Sequence, residues 1–74
     1  MAWAYRSPIG TMYIRKLEDG RYGLLIDGIV WGSSHNPQAL ADNVFCHATG
    51  CYDWDRLDTM VSDVPTSIHE WEKI

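Results

Sequence analysis

Asp27-Gly28 lies between Arg21-Tyr22-Gly23-Leu24-Leu25-Ile26 and Ile29-Val30-Trp31-Gly32-Ser33-Ser34. A two-residue loop between antiparallel strands needs positive φ at both of its positions, and Asp-Gly accepts that where most pairs do not. The apolar runs on either side are therefore predicted to fold back on each other as a hairpin. Upstream, Thr11-Met12-Tyr13-Ile14-Arg15-Lys16-Leu17 alternates and is rich in strand formers, and Glu18-Asp19-Gly20 supplies a turn before Arg21. Loops this short join antiparallel neighbours, so residues 11–17, 21–26 and 29–34 predict a three-stranded antiparallel meander.

A helix follows. The Asn36 side chain suits the cap, where it can take an orphan amide proton, and Pro37 suits the first helical position. The spacing predicts a helix through Gln38 to Thr49, with Gly50 as its left-handed stop. Leu40, Ala41, Val44, Phe45 and Ala48 share one face at helical spacing; Gln38, Asp42, Asn43, Cys46 and Thr49 fall away from it. One amphipathic helix is thus expected to cover one face of the sheet.

The last third carries weaker signals. Asp53-Trp54-Asp55-Arg56-Leu57 fits one helical turn capped by Asp53, and Met60-Val61-Ser62-Asp63-Val64 fits an extended run ended by Pro65. Ser67-Ile68-His69-Glu70 has the capping-box pattern and predicts a short terminal helix through Trp71. Trp54, Leu57, Ile68 and Trp71 are expected to pack back on the sheet or the helix. The fold class is α+β: a three-stranded antiparallel meander packed on one amphipathic helix, with a short C-terminal helix, in a single domain over residues 1–74.

Composition narrows the class further. With 46% hydrophobic and 22% charged residues the chain is ordinary globular material. It has no apolar run of about 18 residues, so no membrane helix is expected. Met1–Arg6 lacks a basic start followed by an apolar stretch and does not read as a secretory signal. Two cysteines make no disulfide framework, and a cytoplasmic, reducing setting is the simpler expectation. A domain this small buries only about 60% of its unfolded surface, so aromatic residues must supply much of the core.

Charge is uneven. Residues 1–37 carry four Lys or Arg against three Asp or Glu, net +1, whereas residues 38–74 carry two against seven, net -5. The solvated-surface reading of this acidic half is solubility. The sharper reading is a surface made of Asp53, Asp55, Asp58, Asp63, Glu70 and Glu72 that meets a basic partner.

No reaction is written in the residues. Cys46, His47 and Cys51, with His35 and Asp53 nearby, invite zinc, but the second distant ligand pair is missing. A cysteine nucleophile at Cys46 with His35, His47 or His69 as base would need a cleft and an oxyanion site, and no strand-turn-helix elbow surrounds Cys46. A Cys46–Cys51 disulfide across the helix end is disfavoured in a reducing cell. Asp53, Asp55 and Asp58 have part of a calcium-loop spacing without its central glycine or terminal glutamate. Asp53 reads instead as a helix cap, with Asp55 and Asp58 exposed. The glycines show no phosphate-loop pattern. The expectation is a non-catalytic chain with no metal and no cofactor.

The strand faces carry more. Tyr13, Arg15 and Leu17 share one side of the first strand, with Met12, Ile14 and Lys16 opposite. Ile29, Trp31 and Ser33 share one side of the third, with Val30 and Gly32 opposite. The helix covers only one face. The other needs the N-terminal segment, the C-terminal segment or a partner, and a second copy of the chain is one candidate. Tyr13 and Trp31, if exposed beside Arg15 or Arg21, would form an interaction patch; Trp3, Tyr5, Trp54 or Trp71 could cover them instead.

Two resemblances follow from these residues. Gly10-Thr11-Met12-Tyr13-Ile14, the Asp19-Gly20-Arg21 turn, Trp31-Gly32-Ser33 and Pro37-Gln38-Ala39-Leu40-Ala41 together resemble, over roughly residues 10–49, the plant-type AP2 and integrase amino-terminal DNA-binding domains. That resemblance implies major-groove contacts from the open sheet face, with Arg15, Arg21 and Trp31 as the carried-over positions and Tyr13 beside them. The chain lacks that family's many basic residues, and phosphate neutralisation supplies much of DNA affinity. Tyr5-Arg6-Ser7-Pro8-Ile9-Gly10-Thr11 and Ala48-Thr49-Gly50-Cys51-Tyr52-Asp53-Trp54-Asp55 resemble small bacterial and prophage proteins of the anti-CRISPR type. That second resemblance extends over the whole chain and carries no site residues; proteins of that kind include inhibitors, are generally small, often acidic and often non-enzymatic, and some occupy a nucleic-acid site on their target. The leading expectation is a non-catalytic protein-binding module, in its sharper form such an inhibitor, whose acidic C-terminal half meets a basic nucleic-acid-binding surface. The alternative is an AP2-like binder of nucleic acid.

Overall fold

In the computed structural model, which describes residues 1–74, both predicted hairpin turns form. Asp27 and Gly28 take φ values of 54° and 77°, the doubly positive pair that the two-residue turn needs. At the other turn Gly20 sits at φ 90°. The Leu17 amide donates to the Arg21 carbonyl at 2.6 Å, and the Arg21 amide donates to the Asp19 carboxylate at 3.0 Å.

The sheet has five strands rather than three: β1 (Ala2–Ser7), β2 (Gly10–Lys16), β3 (Tyr22–Ile26), β4 (Ile29–Ser34) and β5 (Glu72–Lys73), in the order β4-β3-β2-β1-β5. All the pairings are antiparallel. The predicted meander survives as β2-β3-β4, with its first strand ending at Lys16 and its second starting at Tyr22. β1 is an addition, joined to β2 through Pro8-Ile9, with Trp3 opposite Ile14 and Tyr5 opposite Met12. The N-terminal segment thus extends the sheet sideways and covers neither face.

Helix α1 (Pro37–Phe45) starts as predicted, with the Asn36 side chain accepting from the Gln38 amide at 3.0 Å and Pro37 in the first turn. It ends four residues earlier than predicted. Cys46 is the C-cap and His47, at φ 53°, takes the left-handed position that was expected of Gly50. The His47 amide donates to the Val44 carbonyl at 3.1 Å and the Ala48 amide to the Asn43 carbonyl at 2.9 Å, which satisfies two of the orphan carbonyls. A non-glycine residue is strained there. His47 is held by stacking on Trp54, with ring centroids 4.3 Å apart and planes 12° apart, and by its Nδ1 hydrogen-bonded to the Trp54 carbonyl at 3.0 Å. The early stop moves the burial pattern: Leu40, Ala41 and Val44 are buried as predicted, Phe45 and Ala48 are exposed, and Thr49 is buried.

The last third differs most. Helix α2 is four residues, Tyr52–Asp55, with Cys51 and not Asp53 at its N-cap. Residues 60–64 form no strand. Ile68–Glu70 is a single 3-10 turn whose Ser67 side chain makes no capping bond; Glu70 instead accepts from the Thr66 hydroxyl. Trp71 leaves that turn in extended conformation and leads into β5, with Ala4 opposite Glu72.

The core lies between one sheet face and the helical layer. Met12, Ile14, Leu24 and Ile26 come from the sheet, Leu40, Ala41 and Val44 from α1, and Cys51, Trp54, Ile68 and Trp71 from the C-terminal part. Trp3 and Tyr5 pack against it from β1. All four aromatics that could have covered the outer face therefore serve the inner one.

Candidate functional site

β4 is one edge of the sheet, and the register breaks along it. Leu24 pairs with Gly32 while Leu25 pairs with Val30, which leaves Trp31 as the extra residue of a β-bulge. The bulge re-aims the side chains. Ile29 and Gly32 fall opposite the core-facing Ile26 and Leu24; Val30 and Ser33 fall opposite the outward Leu25 and Gly23. The predicted grouping of Ile29, Trp31 and Ser33 on one side is corrected accordingly.

Trp31 consequently lies on the helical side of the sheet. A Cβ built at Gly50 would sit 3.9 Å from its Cε3 atom, and Trp31 lines a surface cavity of about 260 Å³ with Ile9, Ile26, Ile29, Cys51, Asp27 and Asp53. Tyr13 and Arg15 lie on the opposite face, in a shallow groove with Thr11, Leu25, Asp27 and Gly28. Arg21 stands outside both, exposed in the turn before β3. The outer-face set of Tyr13, Arg15, Arg21 and Trp31 is therefore split. The AP2-like arrangement loses its tryptophan to the other face, and Asp27 lines its groove with Arg15.

The acidic set is also dispersed. Asp53 is exposed on α2 and lines the corner cavity. Asp55 is half-buried and works inside the chain rather than facing solvent. Its carboxylate accepts from the Thr49 amide at 3.0 Å, the Thr49 hydroxyl at 2.8 Å and the Gly50 amide at 2.9 Å. Asp58 is exposed after α2. Asp63 lies close enough to Tyr5 that its charge, after burial of the ring, raises the phenol above its ordinary value. Glu70 is engaged by Thr66, and Glu72 sits on β5 at the far edge of the sheet. Of the six, only Asp53 flanks a concavity.

The corner cavity is built from four places in the chain. The β1–β2 turn supplies Ile9, the end of β3 and the turn after it supply Ile26 and Asp27, β4 supplies Ile29 and Trp31, and the loop into α2 with the start of that helix supplies Cys51 and Asp53. Asp55 fixes that loop by gathering Thr49 and Gly50, and the Thr49 hydroxyl then accepts from the Cys51 amide at 3.1 Å. At the mouth Ile29 and Trp31 are 54% and 37% exposed, and Val30, on the outer face of the same edge strand, is 48% exposed. Sequence reading missed Asp27 and Ile9 here. Asp27 has a turn duty that accounts for it fully, and nothing local marks Ile9.

The reactive side chains do not assemble. Cys46 is exposed, Cys51 is buried and both thiols are free. No group of three or more His, Cys, Asp or Glu side chains is placed to hold a metal ion. No helix is long and apolar enough to cross a membrane. No family model, curated protein or solved structure matches the chain.

Proposed function

We propose that the chain is a non-catalytic protein-binding module that docks a basic partner surface at the corner formed by β4, the Asp27-Gly28 turn and the start of α2. The observation that carries this reading is one juxtaposition: an edge strand with exposed apolar residues beside a small cavity lined by apolar residues together with Asp27 and Asp53. Exposed apolar surface rimmed by polar groups is the general mark of an interaction site. An edge strand with free backbone groups adds a route for pairing with an extended segment. The sharper form, a phage- or prophage-borne inhibitor that occupies a nucleic-acid-binding surface, narrows the partner to a nucleic-acid-handling protein and draws on the net charge of -4.

The test is capture of a partner from nuclease-treated lysate, followed by direct binding measurements with the purified partner. Binding is expected to survive nuclease, to weaken with salt, and to be lost in Asp53→Lys while Glu72→Lys on the opposite edge retains it. Capture that disappears with nuclease, or that ignores Asp53→Lys, would overturn the reading.

A further inference from the structure

The corner cavity has a chemistry of its own. Its apolar lining residues are Ile9, Ile26, Ile29, Trp31 and Cys51, and its only charged ones are Asp53 and Asp27, the latter shared with the outer groove. The carboxylates engaged by hydrogen bonds within the chain are those of Asp19, Asp42, Asp55 and Glu70; Asp27 and Asp53 are not among them. At about 260 Å³ the cavity falls just below the range of about 300–1,000 Å³ that takes drug-sized ligands. It suits a single long side chain.

We propose that this cavity receives one arginine side chain of a partner protein. The aliphatic stem lies against Ile29 and Ile9, and the guanidinium meets the Trp31 ring and the two carboxylates. Each part of the lining selects that side chain. An apolar wall favours a methylene stem whose charged end reaches polar groups. An indole face attracts a cation, and the flat guanidinium stacks on it better than a compact ammonium does. A guanidinium also donates in a planar fork suited to carboxylates. Arg15 cannot fill the role from within, because it lies on the opposite face of the sheet. The proposal rests on the protein-binding reading above and adds the chemistry of the group that enters.

The experiment needs no partner. Acetyl-arginine-amide is titrated into the protein labelled for nuclear magnetic resonance, with acetyl-citrulline-amide as the neutral isostere and acetyl-lysine-amide as the compact cation. Arginine is expected to shift the Trp31 indole N–H and the Ile29 methyl signals saturably, lysine more weakly, and citrulline not at all. Asp27→Asn and Asp53→Asn are each expected to weaken arginine binding about threefold, the size of an exposed ion pair. Both variants should fold, since asparagine tolerates the positive φ of position 27 and residue 53 is exposed. The proposal is overturned by shifts that avoid Trp31 and Ile29, by citrulline matching arginine, by lysine binding more tightly, or by both Asn variants binding as the parent does. If arginine fails while a captured partner still depends on Asp53, the docking surface stands and only the arginine anchor falls. If arginine binds and no Asp53-dependent partner is captured, the cavity stands without that docking surface.

Discussion

The meander β2-β3-β4 and the C-terminal third are held in place by different means. In β2 of the meander, burial follows the two-residue period of a strand: Met12 and Ile14 are fully buried while Tyr13 and Arg15 are exposed; β3 beside it is buried from Gly23 to Ile26. Antiparallel pairing repeats along β2, β3 and β4, so many contacts place this region together. From Cys51 onward the regular elements run to only four, three and two residues. That part is placed by individual contacts. The Trp54 indole N–H donates to the Val44 carbonyl at 3.0 Å, Asp55 gathers Thr49 and Gly50, and the Ile68 amide donates to the Gln38 side chain at 2.9 Å. One buried polar atom, Trp71 Nε1, has no partner at all. Two segments of similar length thus differ in how far one substitution can reach.

Trp54 breaks the comparison most sharply. It is fully buried, stacked by His47 and met edge-on by Tyr5 at 6.0 Å. Removing such a ring costs about 3–5 kcal/mol, and a single core of this size supplies about the same in total. Trp54→Ala is therefore expected to abolish the cooperative urea transition. Tyr13→Ala, on the outer face of the meander, is expected to lower stability by about 1 kcal/mol or less. A folded Trp54→Ala protein with a normal transition would show that the C-terminal third is not pinned at this point.

Asp55 is the next test and separates stability from placement. Asp55→Ala strips the acceptor from two backbone amides and a hydroxyl, with an expected loss of about 2 kcal/mol. Because the same loop brings Cys51 and Asp53 to the cavity, the variant should also weaken acetyl-arginine-amide binding even at temperatures where it is fully folded. Asp55→Asn, which keeps one acceptor oxygen, should fall between. Unfolding midpoints and the arginine titration on the same samples check both. Lost stability with unchanged arginine binding would mean that the loop holds its shape without Asp55.

The same contrast explains what could be read in advance. Asp27-Gly28 and Asn36-Pro37 act through their own backbone preferences, and each was legible from a few neighbouring residues. β1 was not: Ala2, Ala4 and Arg6 give its outer face little strand character, and Trp3 and Tyr5 acquire their meaning only opposite Ile14 and Met12. β5 is two residues whose pairing with Trp3 and Ala4 is purely tertiary. The helix stop at His47 depends on a tryptophan seven residues on, and Gln38, read as pointing away from the core, caps a segment thirty residues on. The site suffered most from the bulge. One extra residue in β4 sent Trp31 to the face with Cys51 and Asp53, and period-two reasoning has no means of placing that insertion.

Tyr5 joins the two regions and gives the smallest expected effect. Its ring lies on β1 yet packs on Trp54 and on Trp71, at 6.0 Å and 5.6 Å. Burial, and then the nearby charge of Asp63, raises its phenol from the ordinary value of 10.0. A raised value means that the folded chain holds the proton more tightly than the unfolded chain does. Below about pH 10 both states keep it and stability does not depend on this group. Above that, the unfolded state releases the proton first, so stability falls as pH rises through the folded-state value. The loss attributable to Tyr5 is the difference between the parent and Tyr5→Phe in urea midpoints measured from pH 8 to 11. That difference is expected to be flat up to about pH 10 and then to shift against the parent. Asp63→Asn should shrink the alkaline loss without removing it, because burial is the larger cause. An alkaline loss of equal size in Tyr5→Phe would mean that the junction between β1 and the C-terminal third leaves the phenol as free as it is in the unfolded chain.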